Sequence, residues 1–90
     1  MKIDVYDTYA KDDIGNKIHF DVLVESSTTK DQAYQYALEF IKSIGKENIS
    51  LDQNRCNFCH SELSDPRTEE DVKQKGYSIL QMEGCPNPIR

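Results

Sequence analysis

The chain has no tryptophan, only three prolines and four glycines. Such a composition excludes collagen-like and low-complexity chains. No apolar run approaches the ~20 residues of a membrane-spanning helix, so no membrane association is expected. Met1-Lys2-Ile3-Asp4 leads directly into strand-like sequence, without the apolar segment and small-residue cleavage site of an export signal. Basic residues are also in short supply. Eleven Lys and Arg stand against sixteen Asp and Glu, for a net charge of -5. That balance argues against a nucleic-acid protein, whose affinity comes largely from neutralising phosphates. Cysteine is scarce and odd in number, at three. An odd count suits free thiols or metal ligands better than a disulfide framework. Together with the absence of a leader it predicts a cytoplasmic protein. Nothing in the pattern specifies a partner or an oligomer.

What is present is one domain's worth of chain, 90 residues with 37% hydrophobic content. A domain of this size buries roughly two thirds of its unfolded surface, so its core is thin. Ile3 to Tyr9 reads as a strand. Ile18, Phe20, Val22 and Val24 give the clearest period-2 run. Asp12-Asp13-Ile14-Gly15-Asn16 carries turn chemistry between them, and the pair reads as a β-hairpin. The expected register puts Ile3, Val5 and Tyr9 on one face with Phe20, Val22 and Val24, and Tyr6 and Thr8 on the other with His19 and Asp21. Asp7 then falls on the apolar face, where a hydrogen-bonded carboxylate near the end of the sheet accounts for it.

Thr29 to Ile44 reads as a helix. Thr29 and Gln32 form a capping box, the stripe Ala33, Ala37, Phe40, Ile41 and Ile44 should be buried, and Gly45 follows as a C′ residue. Asn48 to Asp52 reads as a short strand and Gln53 to Ser64 as an irregular stretch. Asp65-Pro66 opens a second helix that stops at Gly76, with its acids early and its lysines late. Tyr77 to Glu83 is the last strand, closed by Gly84-Cys85-Pro86. The order β-β-α-β-α-β predicts an α+β domain over residues 1–90, a four-stranded sheet with two helices and an N-terminal hairpin. The strands joined through helices are expected to run parallel. Residues 87–90 read as a disordered tail.

Cys56-Asn57-Phe58-Cys59-His60 is the motif with chemical content, expected as a tight turn on which two thiolates converge. Zinc is the leading use of it. Cys56 and Cys59 supply half a site, and Cys85 with His19 or His60 would supply the rest, with Asp21 orienting His19. Cys85 is expected close to the motif. Thiol redox chemistry by Cys56 and Cys59 is the alternative. The pattern is also that of c-type haem attachment, with Met82 as a distal ligand, but a thin core and the missing export signal predict no haem. Three reduced cysteines packed with Phe58 account for the same residues without chemistry. Asp7, Asp21 and Glu62 are carboxylates able to act as acid or base. No phosphate loop, H-E-x-x-H or G-x-S-x-G motif is present, so nothing points to hydrolysis, and a binding or structural domain is expected ahead of a thiol-redox or other small enzyme.

Val5-Tyr6-Asp7-Thr8, His19-Phe20-Asp21-Val22, Ser43-Ile44-Gly45, Cys56-Asn57-Phe58-Cys59-His60-Ser61-Glu62 and Glu83-Gly84-Cys85-Pro86 follow one another in an order that resembles a set of short bacterial proteins. That family is catalogued as domain of unknown function number two thousand and twenty-four. The resemblance runs from Ile3 to Pro86 and implies four strands and two helices, with no implied activity. It directs attention to Asp7, His19, Asp21, Cys56, Cys59, His60 and Cys85.

Overall fold

The computed structural model describes residues 1–45 and 48–87, so most of the expected tail lies outside the described residues. Strand β1 (Lys2–Lys11) and strand β2 (Lys17–Glu25) form the hairpin, followed by helix α1 (Lys30–Ser43). After a single 3-10 turn (Gln53–Arg55) come β3 (Cys56–Leu63), α2 (Pro66–Lys75) and β4 (Tyr77–Gln81). The four strands make one sheet in the order β3-β1-β2-β4. Every neighbouring pair is antiparallel. It follows that β2 and β3, joined through α1, run in the same direction without being neighbours, whereas β3 and β4, joined through α2, run in opposite directions, which corrects the expectation of parallel strands for that second pair. The α1 and α2 connections instead carry the chain between strands at different places in an antiparallel sheet. No helix among the described residues is long and apolar enough to cross a membrane.

The loop over residues 12–16 sets the register. Asp12 Oδ1 accepts from the backbone N–H of Ile14 and of Asn16, at 3.1 and 2.7 Å. Asn16 Nδ2 donates to Asp12 Oδ2. Gly15 takes the left-handed conformation, φ 89°, that such a turn requires and other residues resist. The closed loop places Lys11 opposite Lys17, so each odd-numbered residue of β1 meets an odd-numbered residue of β2. The expected register is therefore off by one. Phe20, Val22 and Val24 share their face with Tyr6 and Ala10, whereas Ile3 and Val5 lie on the opposite face with Leu23. Strand β1 is apolar on both faces near its start, and its alternation alone did not say which set faced the helix.

Helix α1 covers the face carrying Ile18, Phe20, Val22 and Val24. Thr29 caps it by accepting from Gln32 N–H. Ala33, Ala37, Phe40 and Ile41 are buried and Ile44 is partly buried at the C-cap. The Phe40 and Phe20 rings pack at 4.8 Å between centroids. Tyr36 stacks on Tyr77 at 4.6 Å, and Tyr34 Oη donates to the Leu51 carbonyl at 2.8 Å.

Two further corrections concern the third strand. The expected strand Asn48 to Asp52 is reduced to a single bridge between Ser50 and Lys11. The stretch expected to be irregular contains β3. Helix α2 begins at its expected Asp65 cap and ends at Gly76, φ 93°. It packs against β4 and β2, and Ser78 Oγ donates to Asp71 Oδ2 at 2.7 Å. Past β4, Gly84 presses its backbone onto β2 so closely that a Cβ there would lie 2.3 Å from the Lys17 carbonyl oxygen.

Candidate metal centre

The face of the sheet opposite α1 changes character along its length. Ile3, Val5 and Leu23 form a small apolar cluster at one end, with Leu80 packed against it. Beyond them, the same alternation presents Asp7 and Tyr9 from β1 and His19 and Asp21 from β2. Asp7 lies directly opposite Asp21, and Tyr9 directly opposite His19. Cross-strand neighbours on one face stand about 5 Å apart at Cβ, so these four side chains share one patch.

His19 Nε2 lies 2.5 Å from Asp7 Oδ1. One ligand atom from each of Asp7, His19 and Asp21 can be chosen so that all three lie within 4.8 Å of one another. The triad is half-buried rather than sealed, with side-chain exposure of 23% for His19 and 36% for Asp7. The Tyr9 ring stacks on the imidazole at 4.1 Å and 8° from parallel, which fixes the plane of the histidine. The patch is electronegative. The charge of Asp7, above all, raises the Tyr9 hydroxyl above its ordinary pKa, and Asp21 and Cys59 push in the same direction. Cys59 belongs to β3, the strand that neighbours β1.

The cysteines themselves do not converge. Their motif lies along an edge strand, not on a tight turn. Cys56 is fully buried under α1, where Thr8 Oγ1 donates to its sulfur at 3.5 Å, while Cys59 is exposed. The ladder between β1 and β3 shifts register here: Phe58 pairs with Tyr6 and His60 with Val5, leaving Cys59 as the extra residue of a bulge. Burial pushes the Cys56 thiol above its ordinary pKa. Cys85 lies beyond the end of β4 and donates to the His19 carbonyl at 3.3 Å. Cys56 and Cys85 belong to the same core cluster on the α1 side of the sheet. The His19 side chain projects on the other side, so it does not complete a cage with them. Strands β3 and β4 are the two edges of the sheet, three strand spacings or about 14 Å apart. His60 is exposed and its Nε2 stands 3.4 Å from Glu62 Oε1. None of the three cysteines forms a disulfide.

The model of the family described as "Domain of unknown function (DUF2024)" matches residues 1–82. The chain belongs to this family. Among solved structures it is similar to the NMR structure of protein NE1680 from Nitrosomonas europaea, at 41% identity and a TM-score of 0.82. The likeness covers 94% of this chain and 99% of that one. Comparison with curated proteins gives no match.

In this DUF2024 member the sequence paired Asp21 with His19 but set Asp7 on the opposite face, so it missed the union of the three, and it gave Tyr9 no part in a site. The turn held the missing signal. A carboxylate at Asp12 closing onto Asn16 implies the Lys11–Lys17 pair, and from that pair the odd-with-odd register follows. The misplaced carboxylate of the expected register, Asp7, is thereby the partner of a histidine.

Proposed function

We propose that this protein is a small cytoplasmic binding domain that holds a zinc ion on the open sheet face, through Asp7, His19 and Asp21. The observation that carries this reading is the grouping of one imidazole and two carboxylates, from two hydrogen-bonded strands, within 4.8 Å. Ligand atoms around zinc at about 2.1 Å stand roughly 3–3.5 Å apart, a contraction that part-exposed carboxylates reach by side-chain rotation. An imidazole nitrogen among oxygen donors suits zinc better than magnesium or calcium, which prefer oxygen alone. Tyr9 supports the reading by holding the imidazole plane, as outer partners of metal-bound histidines do. Three protein ligands would leave positions for water or a bound molecule. A zinc site built from the cysteines has less support, because Cys56 and Cys85 lie on the opposite face of the sheet from the His19 side chain. A thiol-redox role for Cys56 and Cys59 also has less, since one thiol is buried with a raised pKa and only the other faces solvent.

Zinc titration of the chelator-treated protein, followed by calorimetry and by amide resonances, tests the proposal. The expected result is one saturable site with shifts centred on residues 7, 9, 19 and 21. His19→Gln and Asp21→Asn should each weaken binding by about tenfold or more, while Cys56→Ser and Cys85→Ser leave it in place. Loss of zinc in the cysteine variants with retention in His19→Gln would defeat the proposal. Acid should weaken binding, because protons compete for the imidazole and the carboxylates.

A further inference from the structure

A cleft of about 280 Å³ opens at the end of the hairpin and is lined by Tyr9, Lys11, Lys17, Ser50, Asp52 and Arg55 among others. Three cations around one cleft stand out in a chain of net charge -5. Lys11 and Lys17 lie directly opposite each other across the β1–β2 ladder, where like charges cost stability. No ion pair engages Lys11, Lys17 or Arg55 among the described residues. Asp52 is the one acid of the lining, and its Oδ1 accepts from Asn54 N–H at 2.9 Å.

The walls are held in place. Lys11 N–H donates to the Ser50 carbonyl at 3.1 Å, and Ser50 N–H returns a bond to the Lys11 carbonyl at 2.8 Å. Tyr34 pins the next residue, Leu51, from α1. The segment carrying Ser50, Asp52 and Arg55 is therefore fastened to both the hairpin and the helix. Lys11, Lys17 and Arg55 line the same cleft, and like charges gathered there repel one another until an anion enters.

We propose that this cleft binds the phosphate group of a small molecule, through Lys11, Lys17 and Arg55. Three cations against one carboxylate leave a local excess of two positive charges, which a phosphate dianion neutralises. Arginine presents a planar fork that matches phosphate oxygens, and the lysines act as point charges beside it. The cleft meets the zinc triad at Tyr9, which lines the one and stacks on His19 of the other. Phosphate binding does not depend on the metal.

The test is a titration of the full chain with inorganic phosphate in the presence of chelator, followed by amide resonances at constant ionic strength. Saturable shifts confined to Tyr9, Lys11, Lys17, Ser50 and Arg55 are expected. Lys17→Gln and Arg55→Gln should each weaken binding by about tenfold. Lys73→Gln, the same change of charge on α2, should not. Equal shifts from chloride at matched ionic strength, or equal weakening by all three substitutions, would overturn the proposal. Arg55 lies on the 3-10 turn outside the sheet, so its variant keeps the test valid if Lys17→Gln fails to fold. Chelator removes zinc throughout, so failure here is distinct from failure of the metal reading.

Discussion

Phe40 joins the helix to the sheet: its ring meets Phe20, the largest fully buried side chain, and is itself 6% exposed. Phe40→Ala should cost about 3–5 kcal/mol, read from denaturant unfolding, and a loss below about 1 kcal/mol would mean that the helix does not cover this face. The three thiols differ as sharply as their surroundings do. Cys59 is exposed, whereas Cys56 and Cys85 are buried and Cys56 carries a raised pKa. Alkylation follows thiolate content and access, so iodoacetamide should modify Cys59 first and leave the other two until the chain unfolds. Peptide mass mapping over time reads the order, and labelling of Cys56 at the rate of Cys59 contradicts it. At this scale the sequence was informative about type and poor about direction. Cys56, with its two neighbours in the motif, could be named as chemistry-bearing from the spacing alone. Which way each points depended on the strand that carries them.

Elements with local signals were legible, and those specified by distant partners were not. Thr29 and Asp65 are caps whose hydrogen bonds lie within three residues, so both helices could be placed from the chain alone. Strand β3 has no such signal. After Cys56 its residues are exposed, because it is an edge strand with neither face packed beneath a helix over most of its length. Its pairing is specified by β1, some 50 residues earlier in the chain, and no alternation in Cys-Asn-Phe-Cys-His-Ser-Glu-Leu announces it. The Asp65 cap gives a prediction in pH. The bond from Thr68 N–H, foremost, holds the carboxyl below its ordinary pKa of 3.8. A depressed native pKa means that the unfolded chain binds the proton more readily. The stabilisation is therefore present above the ordinary value and is lost as pH falls through the native one. Acidification should loosen the start of α2, seen as loss of the Thr68 amide's protected position. Asp65→Asn keeps a capping oxygen without the titration and should flatten that acid limb. An acid limb identical in both proteins would assign the effect to other groups.

The whole molecule places its two polar features at one end of the sheet. Apolar residues dominate the α1 side, and on the other side of the central strands β1 and β2 they stop at Val5 and Leu23, so the hairpin end of those two strands carries Asp7, Tyr9, His19 and Asp21. The same end holds the lysine-lined cleft. Their charges oppose each other at short range, and the acidic surface as a whole decides what can approach. A nucleic acid offers a line of phosphates, of which the cleft takes one and a net charge of -5 repels the rest. Affinity for DNA or RNA grows with the number of phosphates neutralised together, and its salt dependence grows in step. Three cations in one concave site do not supply that line. The protein should therefore bind neither polymer at physiological salt, even though inorganic phosphate shifts the cleft residues. A gel-shift or anisotropy titration against mixed-sequence duplex and single strands checks this. A micromolar affinity that falls steeply with added salt would show instead that the lysines and Arg55 belong to an extended phosphate-tracking surface rather than to a site for one anion.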